Sequence, residues 1–419
     1  PLLLYAYILL RAGPQASPWL HQRLGETTLS LYHNDWPSFI NFITGRSISV
    51  GFYGVEQALG NVPQAARLWH AHFGWPGLIL IALGLYVMAR HHRPLLLLTV
   101  ALALPQQVFN LFYAIGDILV YYIPLYVTGV LWAGYGAAAL VDGARLAAQH
   151  RRPQAAASLS ALIAMLLFLL PLSALSSGSS RLDLSANRAA RAMWEKILAA
   201  APTDNAILIS NDRDEIVPLF YFQYVEGRAP GLTGIHPLMA PDERFSDIGA
   251  TVDTALREGN GQPVYLIKQM PGLEIKYRLQ PDTPPLVRVL GLVEATPSHP
   301  VNQPLGGLTL TGYDWEPLAD GVRVRLYWRV DERLRQDYTA TVQFLAADER
   351  MLAQDDRPPG GAYYPTSLWK PGEQLIDERP LSLDDGLPAE GVTLLAGMYA
   401  GPQLEHLAPP LRIAIPAPQ

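Results

Sequence analysis

Residues 75 to 112 read WPGLILIALGLYVMARHHRPLLLLTVALALPQQVFNLF, and the tetrad Arg90-His91-His92-Arg93 divides them into two apolar pieces. The apolar run continues to Leu175, broken again at Gly116-Asp117 and at the basic segment from Arg145 to Arg152. A hydrocarbon core about 30 Å thick takes roughly 20 apolar residues as helix. The pieces between the breaks are close to that length, so four membrane spans are expected, at about 75–89, 94–112, 118–140 and 155–175. The first is short and is expected to begin earlier, near Leu68. Pro105, Pro124 and Pro171 would kink soluble helices, but neighbouring helices make them tolerable in a membrane.

Charge sets the expected orientation. Basic residues near span ends favour the cytoplasm. The clusters 90–93 and 145–152 are two spans apart, so they fall on one side. With both inside, the Asp117 turn and everything after Leu175 lie outside. The opening Leu2-Leu3-Leu4-Tyr5-Ala6-Tyr7-Ile8-Leu9-Leu10 reads as the last turns of another span, leaving outward at Arg11. Because the chain opens in mid-span, it is read as the C-terminal part of a longer membrane protein.

The remaining composition narrows the function classes. Of 419 residues, 50% are hydrophobic and 16% charged, which averages a membrane half with an ordinary soluble half. A net charge of −6 lacks the basic footprint that nucleic acid needs. The absence of cysteine removes disulfides, thiolate metal sites and cysteine nucleophiles.

Between the opening segment and the spans, residues 12–67 form a long external loop rich in Trp, Tyr and Phe. Asn34-Asp35 are possible caps before Pro37, and Phe39, Ile40, Phe42 and Ile43 give one apolar face. A short amphipathic helix at the membrane surface is expected here, ended by Thr44-Gly45-Arg46. The loop either packs over the bundle or turns Asp35 and Arg46 toward a site. Asp117, with Tyr121 and Tyr122 after it, is either a functional carboxylate at membrane depth or a helix cap at the water boundary.

Ser176 to Ser180 marks the exit from the membrane. A helix at 187–200, a buried strand at 206–210, helices at 216–226 and 245–258, and a strand at 263–268 imply a small α/β domain with parallel pairing. Asp212 and Asp214 follow the first strand, where α/β folds place ligands. They offer oxygen ligands for a divalent cation, and an N-cap cluster explains them equally. A Pro-rich linker is expected at 281–305. Beyond it Val322-Arg323-Val324-Arg325-Leu326, 338–345 and 392–399 alternate with period two, the pattern of a β-sandwich over 306–419. Tyr364 and Trp369 sit on an expected loop, either as sugar-stacking rings or as packing at the sandwich edge. No phosphate loop, Ser/His/Asp spacing or His cluster is visible.

The opening span end, Asn34-Asp35-Trp36-Pro37 with Gly45-Arg46, and Gly116-Asp117-Ile118 with Tyr121-Tyr122-Ile123-Pro124 carry a resemblance. So do 206–212 and Phe222-Gln223-Tyr224-Val225-Glu226-Gly227. They resemble a bacterial membrane family of unknown-function domains similar to protein O-mannosyltransferases, of the GT-C glycosyltransferase type. The likeness covers roughly residues 1–280. Here Asp35 precedes Trp36, whereas the family loop has Trp before Gly-Asp-Pro. Gly312-Tyr313-Asp314, Tyr327-Trp328 and 364–372 resemble a sandwich appended to envelope glycosyltransferases.

The resemblance implies a polytopic α-helical membrane bundle, the C-terminal part of a GT-C-like fold, over 1–180. An extracytoplasmic α/β domain at 181–280 and the sandwich follow. It implies transfer of a sugar from a polyprenyl-phosphate donor to a protein or glycan acceptor outside the membrane. Asp35, Arg46, Asp117 and Tyr121 are then the expected substrate-binding residues, with the catalytic acid upstream of residue 1. The alternative is a non-catalytic envelope-assembly or glycan-binding membrane protein. A transporter is disfavoured by the scarcity of charge inside the spans and the lack of an inverted repeat.

Overall fold

A computed structural model describes residues 2–12, 20–44, 51–151, 153–202, 205–240, 242–383, 388, 391–401 and 403–415. The chain forms two compact units: residues up to Ile43 together with those from Arg188 onward, and Thr44–Asn187.

The first unit begins with a short helix α1 (Ala6–Arg11), a hairpin of β1 (His21–Leu24) and β2 (Thr27–Ser30), and helix α2 (Trp36–Ile43). Asp35 opens α2 as expected, its Oδ1 accepting the Ser38 N–H at 2.7 Å. The chain then enters the second unit with α3 (Val55–Gly60), α4 (Val62–His91), α5 (Arg93–Phe112), α6 (Ile123–Arg151) and α7 (Pro153–Leu182).

Four helical stretches are long and apolar enough to cross a membrane: Val55–His91, Arg93–Phe112, Ile118–Gln149 and Ala156–Ser176. At most 22% of the most apolar part of each is buried, so their apolar faces look outward, as they would toward lipid. α4 breaks at Gly74, whose φ of 58° only glycine adopts freely, and its apolar part starts at Trp75-Pro76. α4 and α6 run parallel at close range. The ring of Phe73 lies against Gly129, and the backbones of Leu80 and Gly84 lie against Gly136 and Trp132. With α5 returning between them, the turn at Arg90–Arg93 and the basic end of α6 lie at the same end of the helices. The Trp132 indole N–H donates to Thr99 Oγ1 at 3.0 Å and ties α6 to α5.

The rest of the first unit starts with α8 (Ala189–Ala200). An α/β domain follows, with β3 (Ile207–Ile209), α9 (Arg213–Tyr224), β4 (Thr233–Ile235), α10 (Ile248–Glu258), β5 (Val264–Leu266), β6 (Tyr277–Pro281) and β7 (Val287–Leu292). Its sheet order is β4-β3-β5-β7-β6, with β4 and β5 parallel to β3 and β7 antiparallel to β5. Two expectations are corrected here. β4 was not anticipated, because three residues carry no readable periodicity. The segment expected as a linker is ordered as strand over much of its length. Val287 and Val289 alternate inward beyond Pro284-Pro285, and proline density masked that period.

β8 (His299–Leu305) also falls in the expected linker. It opens a sheet of order β13-β10-β9-β8 with β9 (Leu308–Leu318), β10 (Gly321–Val330) and, later in the chain, β13 (Gln374–Ser382). The second sheet carries β11 (Thr339–Leu345), β12 (Met351–Arg357) and β14 (Val392–Ala400), with β15 (Glu405–His406) and β16 (Leu411–Ile415) on β14. In β10 the alternation holds. Val322, Val324 and Leu326 are buried, while Arg323 and Arg325 pair outward with Glu316 and Glu378. One continuous apolar core joins the inner faces of both sheets, one face of the α/β sheet, and Leu24 and Leu29 of the hairpin.

Candidate functional site

In the second unit, the α5–α6 connection departs from helix at Tyr113, which is extended. Gly116-Asp117 turn the chain, and a 3-10 turn at Ile118–Tyr122 leads into α6. The strand-like segment at 51–53 clips onto this connection. Tyr53 N–H donates to the Phe112 carbonyl at 2.8 Å, and Ala114 N–H to the Gly51 carbonyl at 3.3 Å. Asn61, at the foot of α4, donates from Nδ2 to the Leu111 carbonyl at 2.9 Å.

These elements enclose a cavity of about 250 Å³ lined by Tyr53, Asn61, Gln64, Asn110, Tyr113 and Tyr122, with Gly116 and Ile118 beside Asp117. The volume lies just below the range of small-molecule sites. Its polar wall is held by a network that an apolar helix bundle must satisfy internally. Asn110, 3% exposed, donates from Nδ2 to the Tyr121 carbonyl at 3.0 Å and accepts from Gln106 Nε2 at 2.9 Å. Gln107 donates to the Tyr122 hydroxyl at 3.2 Å and accepts the Trp69 indole N–H at 3.0 Å.

Of the residues expected from sequence, Asp117 is exposed and makes no capping hydrogen bond to the turn that follows it. Tyr121 packs its ring on Tyr113, with centroids 5.2 Å apart. The phenols that line the cavity are Tyr53, Tyr113 and Tyr122. Asn61, Gln64 and Asn110 were missed. The available signal was Gln106 and Asn110 four apart on one helical face of an otherwise apolar span. Asp35 belongs to the first unit, where it caps α2. The hydrogen bond from the Ser38 backbone holds its carboxyl below the usual range. Arg46 lies outside the described residues.

The α/β domain gathers polar groups at the carboxyl ends of its parallel strands. Ser210 Oγ donates to Glu215 Oε2 at 2.7 Å, and Lys268 Nζ to Glu215 Oε1 at 2.6 Å. His236, next to β4, lies 2.7 Å from the Pro237 carbonyl through Nδ1, and burial holds its pKa below the ordinary value. Asp212 caps α9 by accepting the Asp214 N–H at 2.7 Å, and exposed Asp214 pairs with Arg213. Among the described residues no three His, Asp or Glu side chains converge as metal ligands.

Tyr364 and Trp369 are fully buried, so neither ring offers a face to a sugar. They form the seam between the sheets and the α/β domain. The Trp369 indole donates to the Tyr364 carbonyl at 3.1 Å, and the Tyr364 hydroxyl donates to Glu373 at 2.7 Å. Lys276, its side chain 4% exposed, sits between Asp253 at 2.7 Å and Glu373 at 2.6 Å. Tyr277 donates to Asp253 at 2.7 Å. Burial raises both phenols well above their ordinary pKa.

Grooves of about 740 and 690 Å³ flank this seam. They are larger than the helix-end cavity, but prominent charges in their walls are already paired, Lys276 with its carboxylates and Arg325 with Glu378. The smaller cavity presents its polar side chains where the surroundings are apolar. Comparison with protein-family models, with curated proteins and with solved structures finds no match to this chain, so a functional reading rests on its own residues.

Proposed function

We propose that this chain is part of a multi-pass membrane glycosyltransferase that takes a sugar from a polyprenyl-phosphate donor and passes it to a protein or glycan hydroxyl. The observation that carries the proposal is the polar and aromatic cavity at one end of the long apolar helices. A lipid-linked donor needs a site at the membrane boundary, with hydrogen-bonding groups for the sugar and an apolar surround for the chain. The sequence resemblance to GT-C enzymes points to the same turn.

The basic turns at the opposite end of the helices support a cytoplasmic assignment for that end, by the excess of Lys and Arg on cytoplasmic loops. The cavity and both sheet domains then work on the outer face. In this scheme Asn61, Gln64 and Asn110 bind donor hydroxyls, and Asp117 orients the acceptor or the sugar at the cavity rim. Arg46 steadies the leaving phosphate with a charge-assisted fork that Lys does not reproduce. A general base activates the acceptor hydroxyl. The alternative is a non-catalytic envelope-assembly or glycan-binding membrane protein that works through its sandwich; the burial of Tyr364 and Trp369 removes those two rings as its sugar-stacking faces.

The test is sugar transfer by the full-length protein in lipid nanodiscs, using radiolabelled polyprenyl-phosphate mannose and glucose. Asp117→Asn and Arg46→Lys are each expected to lower transfer about tenfold or more, the scale of one lost charge-assisted contact. Wild-type rates in both variants, at matched protein levels, would remove these residues from the site.

A further inference from the structure

We propose that α1 and α2 form a lipid-facing seat that holds the α/β domain against the surface of a bilayer. α2 reads Trp-Pro-Ser-Phe-Ile-Asn-Phe-Ile, and Phe39 is its one fully inward side chain, at 6% exposure. Trp36 and Phe42 are 67% and 51% exposed. In α1 and the turn before it, Leu4, Tyr7 and Leu10 are 77%, 62% and 80% exposed. Asn34 Nδ2 donates to the Leu9 carbonyl at 3.0 Å and ties the two helices into one surface. Charge is confined to their ends, at Arg11 and Asp35.

Large aliphatic side chains bordered by Trp and Tyr, without charge between them, match the depth profile of the membrane interface. In water the same surface would be an anomaly for a soluble domain. Chain connectivity selects lipid as the occupant. Tyr53 N–H is bonded to the Phe112 carbonyl at the end of the membrane-length stretch Arg93–Phe112, and Gly51 follows Ile43 by eight residues, a reach of at most about 28 Å even when fully extended. α2 is therefore tethered close to whatever bilayer that stretch enters.

The seat is also fixed to the domain behind it. The hairpin between α1 and α2 buries Leu24 and Leu29 in the main core. The Arg23 carbonyl accepts from Thr233 Oγ1 at 2.8 Å, and Gly25 N–H donates to Gln262 Oε1 at 3.1 Å. Lipid contact at Trp36 is thus transmitted to β4 and the α10–β5 turn. This inference stands independently of sugar transfer.

The chain contains no cysteine, which permits single-cysteine spin labelling without background. The full chain carrying Trp36→Cys, Phe42→Cys, Leu10→Cys or, as an aqueous reference, Glu349→Cys is placed in phosphatidylcholine–phosphatidylglycerol nanodiscs. Collision with oxygen, which partitions into lipid, is compared with collision with a water-soluble nickel chelate. Labels at 36, 42 and 10 are expected to show an oxygen-to-nickel ratio at least about threefold above that at 349. A ratio equal to that at 349 would overturn the proposal, because the surface then faces water. Protection from both probes would also overturn it, because a protein partner or second copy would then cover the surface. All four positions are exposed, and an unchanged thermal midpoint of each labelled chain confirms that it is folded.

Discussion

At Lys276 a buried ammonium is held between two carboxylates and beside two phenols, and its value lies in leaving none of them alone. Asp253 and Glu373 come from different domains, so the cation joins α10 to the turn before β13. Removing the cation leaves two carboxylates close together with little solvent. Lys276→Met is expected to destabilise the sheet domains by about 3–5 kcal/mol, read as a lower denaturation midpoint. An unchanged midpoint would mean that water already screens the pair. His236 gives a pH-dependent counterpart. Burial depresses its folded pKa below the ordinary 6.5. As pH falls below about 6.5 the unfolded chain takes up a proton that the folded chain does not, so stability falls with acidification. His236→Gln is expected to flatten the thermal midpoint of the sheet domains between pH 6.5 and 5 relative to wild type. Parallel curves would show that His236 titrates alike in the folded and unfolded states.

Among the elements, the α4–α6 contact leaves no room for a side chain at two of its glycines. A Cβ at Gly84 would lie 1.8 Å from the Trp132 carbonyl oxygen, and one at Gly136 would lie 2.0 Å from that of Leu80. Small residues let helix backbones approach this closely. Gly84→Leu is therefore expected to cost about 1–3 kcal/mol or more through forced separation, seen as a lower thermal midpoint in detergent, whereas Gly134→Leu should be near neutral. Nothing lies within 4 Å of a Cβ built at Gly134. The long helices were legible in sequence because twenty apolar residues are a signal that no local preference overrides, whereas the α4 break was not: the first span was expected to run on from near Leu68, and the structure breaks it at Gly74. The strands of β10, β11 and β14 were legible because each is long enough to show alternation. The hairpin at 21–30 and β4 were not, since three or four residues have no period. β7 was hidden by the prolines around it. The site was legible only in part. Asp117 marked the turn beside the cavity, but the polar wall is assembled from Asn61, Gln64 and Asn110 on two separate helices, and sequence spacing does not encode which helices meet.

The whole molecule carries a helical unit of membrane length and a unit of sheets on one chain. Because one core runs through the hairpin, the α/β sheet and both later sheets, those sheets should melt in a single cooperative transition. Two separated transitions would place a boundary within that core. If the helix-end cavity receives a lipid-linked sugar phosphate, photoaffinity mapping will find it there. The full-length protein in nanodiscs is irradiated with a polyprenyl-phosphate sugar bearing a benzophenone near the phosphate, and labelled peptides are sequenced. Label is expected on residues 51–68 and 108–123, competed by unmodified donor. Label confined to the grooves beside Lys276 and Arg325, or label that excess donor does not displace, would contradict it.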